Sequence, residues 1–178
     1  RATTSVYQGG GHCLTNVYPE LPSYEVSSTV NLINPQRGEY QVDSDNPYYA
    51  SYDGCLYNKD YTKLITVPLG KTTVNFHPGL RILGTGCLPE SITSPLVIPW
   101  GVTTLEASVL TWMGTDPSEE FLVVFPDTLV NISKEGHNDS RLYKKVYCCS
   151  ESNQAVKSAF QNTEAADQGG YVHVKVLP

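Results

Sequence analysis

The sequence predicts a repeat solenoid: stacked coils, mainly β, with one parallel sheet of short strands, a β-hairpin insertion and a short C-terminal helix. Three observations lead there. The first is a repeat. Phe76-His77-Pro78-Gly79-Leu80-Arg81-Ile82-Leu83, Ile98-Pro99-Trp100-Gly101-Val102-Thr103-Thr104-Leu105 and Phe125-Pro126-Asp127-Thr128-Leu129-Val130-Asn131-Ile132 carry apolar residues at the same offsets, and their spacings fall in the roughly 20–50-residue range of solenoid units. The second is composition. Charged residues are 17% of the 178, whereas Gly (14), Pro (12) and Tyr (12) are plentiful, a balance that suits strands and turns. The third is apolar content. Hydrophobic residues make up 40%, enough for a core that one coil cannot bury alone but stacked coils can.

Each element has a local reason. Residues 1–13, with Gly9-Gly10-Gly11, read as a flexible entry, and without a following Gly-Lys-Ser/Thr they do not form a phosphate loop. Repeats are expected over residues 14–141. Within them Asp43-Ser44-Asp45-Asn46 ahead of Pro47 is turn chemistry, because short Asx side chains bond neighbouring backbone. The runs on either side of Asn58-Lys59-Asp60 predict a hairpin over about residues 53–68. In each later coil a short strand such as Leu96-Val97-Ile98 alternates faces until Pro99 ends it; the chain turns through Gly101, and Val102 and Leu105 re-enter the core. Residues 142–178 predict a strand–helix–strand cap that closes the open end. Its parts are Val146-Tyr147-Cys148, a helix from about Asn153 capped by Ser150 or Ser152 with Val156, Ala159 and Phe160 on one face, and a final strand alternating Val172, Val174 and Val176. The whole is expected to be one domain, 1–178.

The run from Val42 to Tyr49, the segments Asp53-Gly54-Cys55-Leu56-Tyr57-Asn58-Lys59-Asp60 and Lys63-Leu64-Ile65-Thr66-Val67-Pro68, and the Ile98–Leu105 repeat together resemble BspA-type leucine-rich repeats. The likeness covers roughly residues 14 to 176. It implies a right-handed leucine-rich solenoid on exported or surface-attached bacterial proteins, some of them adhesins, and hence an extracellular or cell-surface location. Ala107-Ser108-Val109-Leu110 and the polar stretch 131–140 depart from the family pattern. The chain opens Arg1-Ala2-Thr3, so a removed or omitted upstream segment is expected.

Charge and motif spacing exclude several functions. With 12 basic and 18 acidic residues and a formal charge of −6, no basic block is available to neutralise phosphates, which argues against nucleic acid and anionic membrane as partners. The longest apolar run, Phe121-Leu122-Val123-Val124-Phe125, is far short of the ~20 residues of a membrane span. Five cysteines include no C-x-x-C pair and read as small buried thiols. The four histidines have no metal-ligand spacing, and no Ser lies in G-x-S-x-G. Catalytic residues, cofactor and metal are therefore expected to be none. Asn131-Ile132-Ser133 and Asn138-Asp139-Ser140 match the glycosylation acceptor pattern by chance.

What is left is binding. The leading reading is a non-enzymatic surface module that meets an extracellular protein; a polysaccharide-binding module with Tyr and Trp as stacking platforms, and a structural spacer of a larger exported protein, are the alternatives. Strand positions between inward-pointing residues should line up on the open sheet face, giving a row of Gln41, Asn75, Val97 and Val124 with His77 at its edge. The second candidate is the hairpin, where Tyr40, Tyr48, Tyr49, Tyr52, Tyr57 and Tyr61 crowd together. Several of them are expected to pack the hairpin onto the solenoid, as the resemblance implies for Tyr48, Tyr49 and Tyr57. The alternative is a contact surface with Tyr49 and Tyr61 as contacts, since tyrosine offers amphipathic contact area at low entropic cost.

Overall fold

The computed structural model describes residues 23–26, 38–114, 116, 118–135, 144–160, 162–165 and 169–178. Among these the chain is mainly β with parallel sheets and one short helix. Two parallel strands, β1 (Ser23–Val26) and β2 (Glu39–Val42), form one sheet, and β2 is tied to the next segment by the Tyr40 N–H donating to the Gly54 carbonyl at 2.8 Å. A six-stranded sheet follows from β3 (Tyr49–Tyr52), β4 (Cys55–Asn58), β5 (Lys63–Thr66), β6 (Ile82–Leu83), β8 (Thr104–Leu105) and β10 (Asn131–Ile132), in the order β10-β8-β6-β5-β4-β3. Strands β3, β4 and β5 pair antiparallel, and β5, β6, β8 and β10 pair parallel. A five-stranded sheet holds β7 (Leu96–Val97), β9 (Glu120–Val124), β11 (Lys144–Ser150), β12 (Thr163–Ala165) and β13 (Gly170–Leu177), in the order β12-β13-β11-β9-β7, parallel except at β12.

The repeat is legible in the backbone bonding. The N–H groups of Arg81, Thr103 and Val130 donate to the carbonyls of Thr62, Arg81 and Thr103, and those of Gly84, Glu106 and Ser133 to Leu64, Leu83 and Leu105. Leu64, Leu83, Leu105 and Ile132 become one cross-strand column, of which the first three are fully buried. Each coil also bends through the same turn, with Leu80, Val102 and Leu129 donating to the carbonyls of His77, Pro99 and Pro126. Gly101 is required in its turn, where φ is +99° and a Cβ would lie 2.7 Å from the Arg81 guanidinium.

Two expectations need correction. One parallel sheet was expected; three sheets contain parallel ladders, because β1 and β2 pair in a sheet of their own and the second and third coils each supply a strand before the Pro-containing turn and another after it. Leu96–Val97 joins β9, while Thr104–Leu105 joins β6 and β10. Strands of two residues are too short for alternation to reveal them. The second concerns the helix α1 (Gln154–Ala159), which is capped by Asn153 and not by Ser150 or Ser152. The Asn153 side chain accepts from the Val156 N–H at 3.0 Å and donates to the Pro126 carbonyl at 2.9 Å, so one buried amide joins the helix to the preceding repeat.

A continuous core runs from Cys55 to Val172. Phe160 stacks on Phe125 at 5.7 Å and meets Tyr147 edge-on at 4.5 Å, placing the C-terminal strand–helix–strand unit on the last repeat. Cys55, Cys87, Cys148 and Cys149 are free, buried thiols, with burial pushing the Cys55 thiol up to about 12; Cys13 lies outside the described residues. No helix of the described residues is long and apolar enough to cross a membrane.

Candidate interaction surface

The hairpin is built from its turns outward. Asn46 is fully buried, and its side-chain oxygen accepts the N–H groups of Tyr48 and Tyr49 at 2.8 and 2.9 Å, while Asp43 accepts from Asp45. This Asx network starts β3 and sets Tyr48 outward. The β4–β5 turn closes with Tyr61 N–H donating to the Asn58 carbonyl at 3.0 Å and Lys63 N–H to the Asn58 side chain at 2.8 Å. It holds Tyr61 at φ +58°, a left-handed conformation uncommon for a bulky residue.

That conformation brings Tyr61 onto His77, a residue of the first repeat. The rings stack 4.3 Å apart with an interplanar angle of 14°. Tyr52 meets the same imidazole edge-on at 4.9 Å, and the Tyr57 hydroxyl accepts the His77 backbone N–H at 3.2 Å. Nδ1 of His77 accepts from the Gly79 N–H at 2.9 Å, which helps to fix the ring's orientation. Tyr57 is buried, and burial raises its hydroxyl pKa; Tyr52 is 39% exposed. One buried tyrosine thus anchors a half-open patch of Tyr52, Tyr61 and His77. Tyr49 lies apart from that patch, half-buried and tilted against the exposed Tyr48 ring at 6.3 Å, with burial raising its hydroxyl pKa.

The predicted row is divided. Val97 and Val124 are register partners on the outer face of the five-stranded sheet, but the row continues into Cys148 and Lys175. Gln41 belongs to the separate β1–β2 pair. Asn75 lies in no strand, and its N–H donates to the Asp53 carboxylate at 2.9 Å. Which strands become neighbours depends on long-range packing, and equal local patterns do not encode it.

Sequence reading missed a second surface. Trp112 is 58% exposed and lines a cavity of about 340 Å³ with Leu69, Leu88 and Pro89. Its only sequence signal is a large aromatic placed just past the buried Val109-Leu110 tail. Among the described residues no group of three or more His, Cys, Asp or Glu could hold a metal ion.

The chain is similar in fold to a leucine-rich repeat protein from Eubacterium ventriosum, with a TM-score of 0.51 and 20% identity over 72% of this chain and 36% of that one. The chain therefore spans about a third of that protein's length. A leucine-rich-repeat-like, repeat β-rich fold is the common ground. A weaker match, the pneumococcal vaccine antigen PcpA, has a TM-score of 0.35 and 13% identity over 89% of this chain and 56% of that one. No family profile and no curated protein matches the sequence.

Proposed function

We propose that this chain is a non-enzymatic interaction module of an exported or surface-attached bacterial protein, a single-domain right-handed leucine-rich solenoid of BspA type, which binds a protein partner through its Tyr-rich hairpin. The observation that carries the reading is the Tyr61–His77 stack with Tyr52 at its edge. Rigid aromatic groups, partly open and held by a buried neighbour, are what protein contacts use as anchors. Of the row residues, the Val97–Val124 pair is kept as a lesser contact, since Val97 is exposed beside an apolar neighbour; Gln41 and Asn75 are not kept.

The polysaccharide reading is favoured by a different observation, the exposure of Trp100 at 73% together with Trp112, because indole faces stack on sugar rings. A spacer role needs neither surface. A panel of extracellular-matrix proteins run beside a glycan array separates the three. Capture of a protein that weakens at least about tenfold in Tyr52→Ala and His77→Ala, with folding unchanged, supports the hairpin. Loss only in Val97→Arg moves the contact to the sheet. Glycan binding lost in Trp100→Ala overturns the protein reading.

A further inference from the structure

Two cavities meet at Glu90. One, about 340 Å³, is the apolar seat made by Trp112, Leu69 and Pro89; the other, about 280 Å³, is lined by Ser91, Thr93 and Ser94 and by the carboxylates of Asp116, Glu119 and Glu120. Glu90 lines both. Leu69 is 40% exposed beside the half-exposed indole of Trp112, so the apolar seat is open to an incoming side chain. Glu120 accepts the Tyr171 hydroxyl, and Ser118 donates its N–H and hydroxyl to Asp116 at 2.8 and 2.6 Å, bonds that lower the Asp116 carboxyl pKa.

We infer that this composite groove binds a basic, extended peptide segment of a protein partner, with an aliphatic side chain against Trp112 and Leu69 and a Lys or Arg beside Glu90 and Asp116. Charge complementarity commits the groove to that occupant. A four-carboxylate rim on a chain of net charge −6 attracts a cation and repels an acidic ligand. An extended segment places alternate side chains about 7 Å apart on one side, which suits an apolar seat followed by an acidic one. Neither cavity is lined by Tyr52, Tyr61 or His77, so failure of either surface leaves the other in place.

The chain has two tryptophans. Trp100→Phe makes Trp112 the sole indole reporter, and the probe is acetyl-Leu-Ser-Lys-Ser-Lys-amide, which carries Leu and Lys on one side of an extended chain, with acetyl-Leu-Ser-Glu-Ser-Glu-amide and cellohexaose as comparisons. The expected result is a saturable blue shift of Trp112 emission with the basic peptide alone. Its affinity should fall at least about tenfold in Glu90→Lys and fall again as salt rises from about 0.05 M to about 0.5 M. Trp112→Ala, followed by calorimetry because the reporter is gone, should bind at least about tenfold more weakly. No shift with the basic peptide, equal binding of the acidic peptide, affinity unchanged in Glu90→Lys, or a response to cellohexaose alone would each overturn the assignment.

Discussion

Gly86 and Ser108 occupy the same position in successive coils, just past β6 and β8, and both are left-handed, with φ of +57° and +59°. Each N–H donates onward, Gly86 to the Ala107 carbonyl at 3.0 Å and Ser108 to the Glu135 carbonyl at 2.9 Å. The chain bends the same way with and without a side chain. A Cβ at Gly86 would meet nothing within 4 Å, so the cost of a side chain there is backbone strain alone, about 1–2 kcal/mol for an L-residue.

Ser108→Gly should therefore stabilise the protein, by up to about 1 kcal/mol once the added freedom of the unfolded chain is counted. Gly86→Ser should destabilise by about 1 kcal/mol. Denaturant midpoints with an unchanged slope are the measurement, and equal midpoints for all three proteins would refute the shared-strain account.

Leu105 sits in the buried column between Leu83 and Ile132. Leu105→Ala should cost about 2–5 kcal/mol, against less than about 0.5 kcal/mol for the exposed control Lys134→Ala. Similar midpoints for the two variants would contradict the repeat register.

Asn153 carries two bonds with opposite roles, as helix cap and as donor to the preceding repeat. Asn153→Ala should lower stability by about 1–3 kcal/mol, and Ser152→Ala should change it by less than about 0.5 kcal/mol. Thermal melts of both variants decide which residue holds the cap.

Glu106 and Asp53 join separate parts of the chain. Burial works to raise both carboxyl pKa values, but it is outweighed. For Glu106 the opposing partners are Lys63 at 2.6 Å and the Thr85 N–H and hydroxyl; for Asp53 they are the Asn75 N–H and Lys71 at 3.3 Å. Both native pKa values are thus lowered. Their contribution to stability is full above the unfolded values of about 4 and is lost as pH falls through the native ones. Melting temperature should drop below about pH 4, and Glu106→Gln should flatten that drop. An acid profile identical to that of the parent protein would remove Glu106 from the account.

What was readable in the chain was the coil itself. Leu80, Val102 and Leu129, then Leu83, Leu105 and Ile132 recur in the sequence as they recur in the backbone bonding and strand register. The hairpin and the closing strand–helix–strand unit were legible for the same reason: Asx turns, Pro stops and apolar period act over a few residues. Tyr61 and His77 were each singled out, but their stacking was not, because it depends on a left-handed Tyr61 that no neighbouring residue announces.

The sequence by itself determined which residues turn inward in each coil, since burial pattern is set by local alternation and by where Pro and Gly bend the chain. Only the tertiary structure decided which coils become neighbours. It divided the strands among three sheets, paired Val97 with Val124 while leaving Gln41 and Asn75 elsewhere, and joined Trp112 to Leu69 across two coils. Those choices follow from the packing of residues far apart in the chain, and a two-residue strand such as Leu96–Val97 carries too little pattern to name its partner in advance.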